Sequence, residues 1–211
     1  MKTILQNMHE EILLEQQIDL IPFLGKFLDD FGLVGGTAIA LQIGHRRSID
    51  FDFATLNDLN GEKIRNKIRG QYTIESILID EANELSIVVN SVKLTFFKYP
   101  FPLDFAVKYK KSINMPDILS LAAMKAYALG RRAKWKDYVD LFFFFKKYSL
   151  NDLTSKASEI FRTEFNEKLF REQLSYFEDI DYSEEIDYLE GFEVSNQVVK
   201  EYLKEISLQK C

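Results

Sequence analysis

The chain has 211 residues, with 27 basic and 33 acidic side chains, a net charge of −6 and 46% apolar residues. That length fits one domain, or one domain with a smaller second lobe, and can bury about 70% of the unfolded surface without help from a disulfide or metal. Only 9 Gly and 4 Pro exclude collagen-like, linker-like and low-complexity classes, and one cysteine (Cys211) with two histidines (His9, His45) excludes an internal disulfide, a cysteine-based zinc site and a His-rich metal centre.

No run approaches the ~18 consecutive apolar residues of a membrane span, so no membrane partner is expected. The N-terminal MKTILQNMHEEILLEQQ turns polar and acidic before a secretory core can form. These features point to a reducing cytoplasm. The negative balance discourages non-specific binding to nucleic acid, but the charge is uneven. Residues 1–150 carry 20 Lys/Arg against 18 Asp/Glu, and residues 151–211 carry 7 against 15. The basic clusters (Arg46-Arg47, Lys63 to Arg69, Lys108 to Lys111, Arg131 to Lys136) all lie in the first part. Each alone reads as a solvated face; their common location raises the chance that some surround an anionic substrate.

Apolar residues at helical spacing run from Ile12 to Leu28, with Pro22 expected to open a second helix. Phe31 to Val34 reads as a turn into a short buried strand, and Ala38 to Ile43 as a helix stopped by Gly44. Ser48 to Phe53 alternates as a strand, and residues 62–70 form a basic amphipathic helix. Three β-rich runs follow, Tyr72 to Ile79, Leu85 to Asn90 and Val92 to Tyr99. Asp80 to Asn83 is the turn between the first two, and Asn90-Ser91 a tight turn or bulge between the others. Residues 100–116 read as irregular, and the chain from Asp117 onward as helical to its end. The order predicts an α+β or α/β core with a C-terminal helical region. We expect residues 1–115 to form the core with its N-terminal helices, and residues 116–211 a helical lobe.

The chemistry concentrates at two places. Asp50 and Asp52 sit two apart on a strand and so share a face, while Ile49, Phe51 and Phe53 are expected to anchor the other face. Two adjacent carboxylates are tolerable when a cation lies between them, and Mg²⁺ is the hard ion that takes one or two carboxylates and completes its shell with phosphate and water. Gly35-Gly36, between a strand and a helix, lets backbone approach a ligand, and the helix N-terminus favours an anion. Thr37 can cap that helix or offer its hydroxyl to a phosphate. A Gly-Gly or an Asp-x-Asp alone is usually a turn or an edge-strand pair; together, one helix apart, they describe a metal–nucleoside triphosphate site.

Val34-Gly35-Gly36, thirteen residues, then Asp50-Phe51-Asp52-Phe53 resembles the signature of polymerase-beta-type nucleotidyltransferases. The string GGTAIALQIGHRRSIDFDF is similar to the AbiEii/AbiGii toxin family within that superfamily, matching at Gly35, Gly36, Thr37, Arg46 or Arg47, Ser48, Asp50 and Asp52. A second block, Lys125 to Leu141, resembles the family's downstream Lys…Arg…Lys/Arg-Asp-x-x-Asp-Leu motif. On a continuous helix Lys125, Arg132, Lys136 and Asp140 would fall within about 80° of one face, with Gly130 as the place where that helix can break.

The resemblance implies an α+β fold, a nucleotidyltransferase-like mixed β-sheet flanked by helices, with the C-terminal helical lobe contributing Lys125 and Asp137. It implies an Mg²⁺-dependent transfer of a nucleoside monophosphate from an NTP to an acceptor hydroxyl, with RNA, tRNA in particular, as the acceptor. The protein would be the toxin of a bacterial toxin–antitoxin or abortive-infection system, with a cognate antitoxin as partner. Asp50 and Asp52 would hold the metal, Gly35, Gly36, Thr37 and Ser48 would cradle the triphosphate, and Arg47, Lys125 and Arg132 would meet its charge. Asp137 would act as base or orienting group. One departure is visible: such enzymes often carry a third carboxylate on a later core strand, and Val92 to Lys98 contains none. Three readings follow. Asp137 or Asp140 supplies the third function; two carboxylates suffice; or the protein binds nucleotides without transferring them. A further alternative is an interaction module acting through its acidic C-terminal part.

Four further features remain, three of them with two readings. His45 either touches a phosphate or is an ordinary loop histidine. Trp135 either stacks on a base or packs in the core. The run Phe142 to Phe145 reads as a helix buried between two lobes. Tyr176, Phe177, Tyr182, Tyr188 and Phe192 form either a partner surface or the outer half of a helical bundle.

Overall fold

The computed structural model describes residues 8–129 and 131–209. Helix α1 (Glu15–Leu24) buries Leu20, Ile21, Phe23 and Leu24 and contains Pro22. The expectation that Pro22 opens a second helix is therefore corrected. The proline lies two residues before the helix ends; it removes a single i→i−4 bond, and the helix then passes into a 3-10 turn at Gly25–Phe27. Strand β1 (Gly32–Val34) leads without a loop into helix α2 (Gly35–Ile43). Gly44 ends that helix as expected: its φ is +81° and its N–H donates to the Ala40 carbonyl at 2.8 Å.

Strand β2 (Phe51–Thr55) buries Phe51 and Phe53. It begins later than the sequence pattern predicts, and Ile49 is 55% exposed instead of anchoring the core. Helix α3 (Gly61–Arg69) is capped by the Asn60 side chain and buries only Ile64 and Ile68. Strands β3 (Ile74–Glu81), β4 (Glu84–Val89) and β5 (Val92–Lys98) follow as a meander. The first hairpin is longer than predicted: Asp80 and Glu81 belong to β3, pairing with Leu85 and Glu84, and Ala82-Asn83 makes the turn. Asn90 and Ser91 both have positive φ, 52° and 60°, the conformation of a two-residue hairpin turn. The strained Ser91 N–H is satisfied by Glu75 Oε1 at 2.9 Å.

The sheet order is β1-β2-β5-β4-β3, with β2 and β5 parallel and the other neighbours antiparallel. Its core face is aromatic. Phe53 stacks on Phe96 at 5.3 Å, and Phe27 and Phe31 reach the same ring at 5.0 and 5.2 Å. The stretch predicted to be irregular holds a small hairpin, β6 (Val107–Tyr109) and β7 (Ile113–Met115). Three-residue strands are too short to show alternation in sequence.

Five helices follow: α4 (Ile118–Leu129), α5 (Trp135–Phe145), α6 (Leu150–Phe161), α7 (Glu167–Ser175) and α8 (Asn196–Ser207). The expectation of helix to the chain end is corrected by residues 176–195, which carry no helix and make bridge contacts Arg46↔Tyr188 and Lys134↔Asp181. The Phe run packs on both kinds of neighbour, Phe142 on Tyr202 of α8 at 5.2 Å and Phe143 on Phe192 of the non-helical segment at 5.5 Å. Among the described residues no helix is long and apolar enough to cross a membrane.

The chain separates into two compact units. One holds Leu13–Ala38 and Ser48–Asp117, and so the sheet; the other holds Ile39–Arg47 and the chain from Ile118 onward, together with the short turn Glu10–Ile12. Helix α2 starts in the first unit and finishes in the second. The α+β class with a mixed sheet, flanking helices and a helical C-terminal region is as expected.

Candidate functional site

In the sheet unit, the two faces of β2 divide by parity. Phe51 and Phe53 enter the aromatic core, so Asp52, and Asp50 two residues before it, belong to the opposite face. The parallel register sets Asp52 beside Thr95, and β4 continues that row with Ser86, whose hydroxyl lies 3.3 Å from that of Thr95. This face of the sheet is therefore polar where its reverse is aromatic.

Antiparallel pairing places Val34 opposite Asp52, so the next residue, Gly35, meets the Asp52 side chain. Gly35 has φ +73°, and a β-carbon there would lie 2.5 Å from Asp52 Oδ2. Glycine is needed for both reasons: left-handed backbone and close approach of a carboxylate. The glycine turn and the second acid of the Asp-x-Asp pair are thus in contact.

Thr37 is 2% exposed. Its hydroxyl donates to the Asp50 backbone carbonyl, and its Oγ1 lies 2.7 Å from Ser48 Oγ. Thr37 and Ser48 therefore fix the segment entering β2, and of the two Ser48 is the more open to solvent. Asp50 Oδ2 lies 3.4 Å from Lys93 Nζ on β5. Two part-exposed carboxylates with hydroxyls nearby suit a hard ion that draws the rest of its shell from a ligand. Among the described residues no group of three or more His, Cys, Asp or Glu side chains is gathered for a metal. The donor set therefore fits an ion shared with phosphates better than a closed protein cage.

The second unit gathers a different set. Helix α4 delivers Lys125 and α5 delivers Asp137 and Asp140, although the helix breaks between Leu129 and Trp135. The single-face helix is therefore replaced by two helices packed on each other. Lys125, 5% exposed, contacts Asp137 and lies 3.0 Å from Asp140 Oδ2. Arg132, whose side chain is 56% exposed, binds Asp137 from the solvent side at 2.8 Å. Lys136, predicted on the same face, instead pairs with Glu184 at 2.8 Å.

Arg46 grips Asp140 with two bonds, Nε to Oδ1 at 2.7 Å and Nη2 to Oδ2 at 2.9 Å. His45 Nε2 donates to Asp140 Oδ1 at 2.8 Å, and its Nδ1 has no hydrogen-bond partner among the described residues. Burial alone would raise the Asp140 carboxyl, but Arg46, Lys125 and His45 hold it well below the usual carboxylate range. Burial acts against the charge of Lys125 too, and Asp137 and Asp140 outweigh it. Burial lowers His45 below its ordinary value, against the pull of Asp140, so the imidazole is neutral. Both Asp140 oxygens are occupied by protein donors. Arg47 lies in this unit, its guanidinium 3.0 Å from the Glu11 carbonyl and 3.3 Å from Asp187 Oδ2.

The sequence-predicted residues thus form two groups: Gly35, Gly36, Thr37, Ser48, Asp50 and Asp52 in the sheet unit, and Arg47, Lys125, Arg132 and Asp137 in the helical unit. Sequence reasoning missed Lys93, whose only signal is a lysine alternating with apolar residues in a strand. It also missed the anchoring role of His45 and Arg46. Trp135 is core, 3% exposed, with its indole N–H on Asn196 Oδ1 at 3.0 Å.

No family model matches the chain. It is 29% identical over 165 residues to an uncharacterized protein of Aquifex aeolicus, covering 72% of this chain and 75% of that one. Among solved structures it is similar to a putative nucleotidyltransferase from H. pylori, with TM-score 0.62, 19% identity, and 94% and 93% of the two chains covered. It is also similar to MenT4, a nucleotidyltransferase toxin from Mycobacterium tuberculosis, with TM-score 0.56, 11% identity, and 92% and 82% covered. The fold of this chain is that of the nucleotidyltransferases.

Three outcomes are expected. Gly35→Ala destabilises the protein by about 1–2 kcal/mol through left-handed strain plus the clash, and the loss shrinks in an Asp52→Ala background, measured by urea unfolding of the four-member cycle. Asp140→Asn costs about 3–5 kcal/mol, because Arg46 and Lys125 stay buried with too little countercharge, and appears as a lower urea midpoint. For His45, a folded pKa below the unfolded ~6.5 means that its stabilisation is full above about pH 6.5 and lost as pH falls toward the folded value. Urea titrations from pH 7.5 to 5 should show that loss in the wild type and a flatter profile in His45→Gln.

Proposed function

We propose that this protein is an Mg²⁺-dependent nucleotidyltransferase that moves a nucleoside monophosphate from an NTP to an acceptor hydroxyl, and that it belongs with the AbiEii/AbiGii-type toxins. The observation that carries this reading is the contact between the Gly35 turn and Asp52, on a sheet face whose fold is shared with nucleotidyltransferases. Asp50 and Asp52 would hold the metal, which supplies charge neutralisation on the phosphates when bound. The Gly35-Gly36 turn and the N-terminus of α2 receive the triphosphate, with Ser48 as the polar side chain open to it. Thr37 acts behind them by fixing the Asp50 backbone. In the helical unit, Arg132 is the solvent-facing cation, and Lys125 and Asp137 are positioning residues held in one buried ion-paired set.

The similarity to a nucleotidyltransferase toxin supports a toxin role, which brings a cognate antitoxin as partner and RNA, tRNA in particular, as the acceptor. A second reading, nucleotide binding without transfer, is favoured by one observation: β5 presents Lys93 and Thr95, and no acid, beside Asp50 and Asp52.

Labelled NTPs incubated with the protein, Mg²⁺ and total RNA test the two. The first reading expects labelled RNA that Asp50→Ala abolishes, and that Asp137→Asn reduces by about a hundredfold through lost positioning. No label transfer by wild type despite metal-dependent NTP binding selects the second reading.

A further inference from the structure

Lys93 has no role in the transfer reading above. Its strand runs parallel to β2, with Phe51 beside Leu94 and Asp52 beside Thr95, so one step back Lys93 comes level with Asp50. Its Nζ lies 3.4 Å from Asp50 Oδ2, and the two side chains are 41% and 39% exposed. A pair this open is weak and exchangeable, and a lysine head on a flexible stem can change partners at little cost. Within the β2–β5 row it stands among Asp50, Asp52 and Thr95, on the strand that offers no third carboxylate.

We propose that Lys93 is the built-in cation of the nucleotide site. Before ligand arrives it neutralises Asp50, and when a metal–triphosphate complex binds it moves from Asp50 to the phosphates. The proposal rests on the nucleotidyltransferase reading of that site.

The charge balance supplies the argument. Lys93 offsets one of the two acid charges of this row, which weakens its pull on a bare divalent ion, while the acids still disfavour a bare triphosphate. A divalent ion brought with the triphosphate answers both, so metal and triphosphate each favour the other. An acid in place of Lys93 would leave three negative charges and call for more than one ion. Lys93 therefore sets the site to take its metal with the nucleotide.

The test measures binding, on the full chain. Mn²⁺ binding without nucleotide is followed by electron paramagnetic resonance, and binding of a non-hydrolysable ATP analogue with Mg²⁺ by calorimetry, for wild type, Lys93→Met, Lys93→Arg and Asp50→Ala. Lys93→Met should bind Mn²⁺ alone about tenfold more tightly and the Mg²⁺–nucleotide about tenfold more weakly. Lys93→Arg, which keeps the charge, should stay within about twofold of wild type in both. Mn²⁺ binding that Asp50→Ala removes but Lys93→Met leaves unchanged would overturn the role of Lys93 and spare the metal site. Mn²⁺ and nucleotide binding absent in wild type and Lys93→Met alike would instead sink the nucleotidyltransferase reading, and this proposal with it.

Discussion

The site depends on which way β2 faces. Phe51 and Phe53 are 0% and 3% exposed, locked against Phe96, Phe27 and Phe31. A slip of one residue would turn Asp52 into that aromatic core and lift the phenylalanines into water, a cost of several kcal/mol on both counts. The aromatic face is thus what places two carboxylates on the other side. Finer adjustments come from Thr37, which fixes the backbone of Asp50, and from Gly35, whose missing side chain leaves room for the carboxylate of Asp52. Packing decides the face, and two small residues decide the position on it.

The helical unit solves a different problem, the burial of charge. Taking Arg46, Lys125 and Asp140 out of water is expensive, and the geometry offsets that cost only because every charge meets an opposite one. The asymmetry of such networks gives specificity: any packing that misplaces one member strands the others. The network also organises the chain around it. The Arg47 N–H bonds the Asp187 carbonyl at 2.8 Å, and the Leu189 N–H bonds the His45 carbonyl at 3.1 Å, so the irregular segment after α7 is held to residues 45–47 by backbone as well as by packing. That segment has no helical periodicity of its own, and its order comes from these contacts.

Much of this was legible in the sequence because it is written in local patterns. Alternation around Phe51 and Phe53 gave β2, the Gly35-Gly36 pair marked the entry to α2, and Gly44 marked its end. What was not legible is tertiary. Register between β2 and β5 is not encoded in either strand alone, so Lys93 could not be matched to Asp50. Ile49 looks like a core residue by alternation but lies outside the paired part of β2. Pro22 looks like a helix start, yet a helix two residues from its end tolerates it. Lys136 shares a helical face with Lys125 only if the helix is unbroken, and the break before Trp135 sends it to Glu184 instead. Thr37, read from sequence as a cap of α2 or a phosphate contact, also donates its hydroxyl to the Asp50 backbone carbonyl, a partner thirteen residues away that no local pattern announces.

The two charged groups also differ in what their charges are free to do. A charge that must receive a substrate has to exchange partners, and exchange is cheap only where water can replace the partner that leaves. Asp50 and Lys93, each more than a third exposed and 3.4 Å apart, meet that condition. Asp140 and Lys125 do not, since pulling either away would leave a buried ion without its countercharge. A buried network of this kind is suited to fixing geometry, and a half-open pair to passing charge to a ligand. Arg132 stands between the two types: its carboxylate partner Asp137 is buried while its own guanidinium faces solvent. It is therefore the point at which the locked set of the helical unit can present positive charge outward without being taken apart.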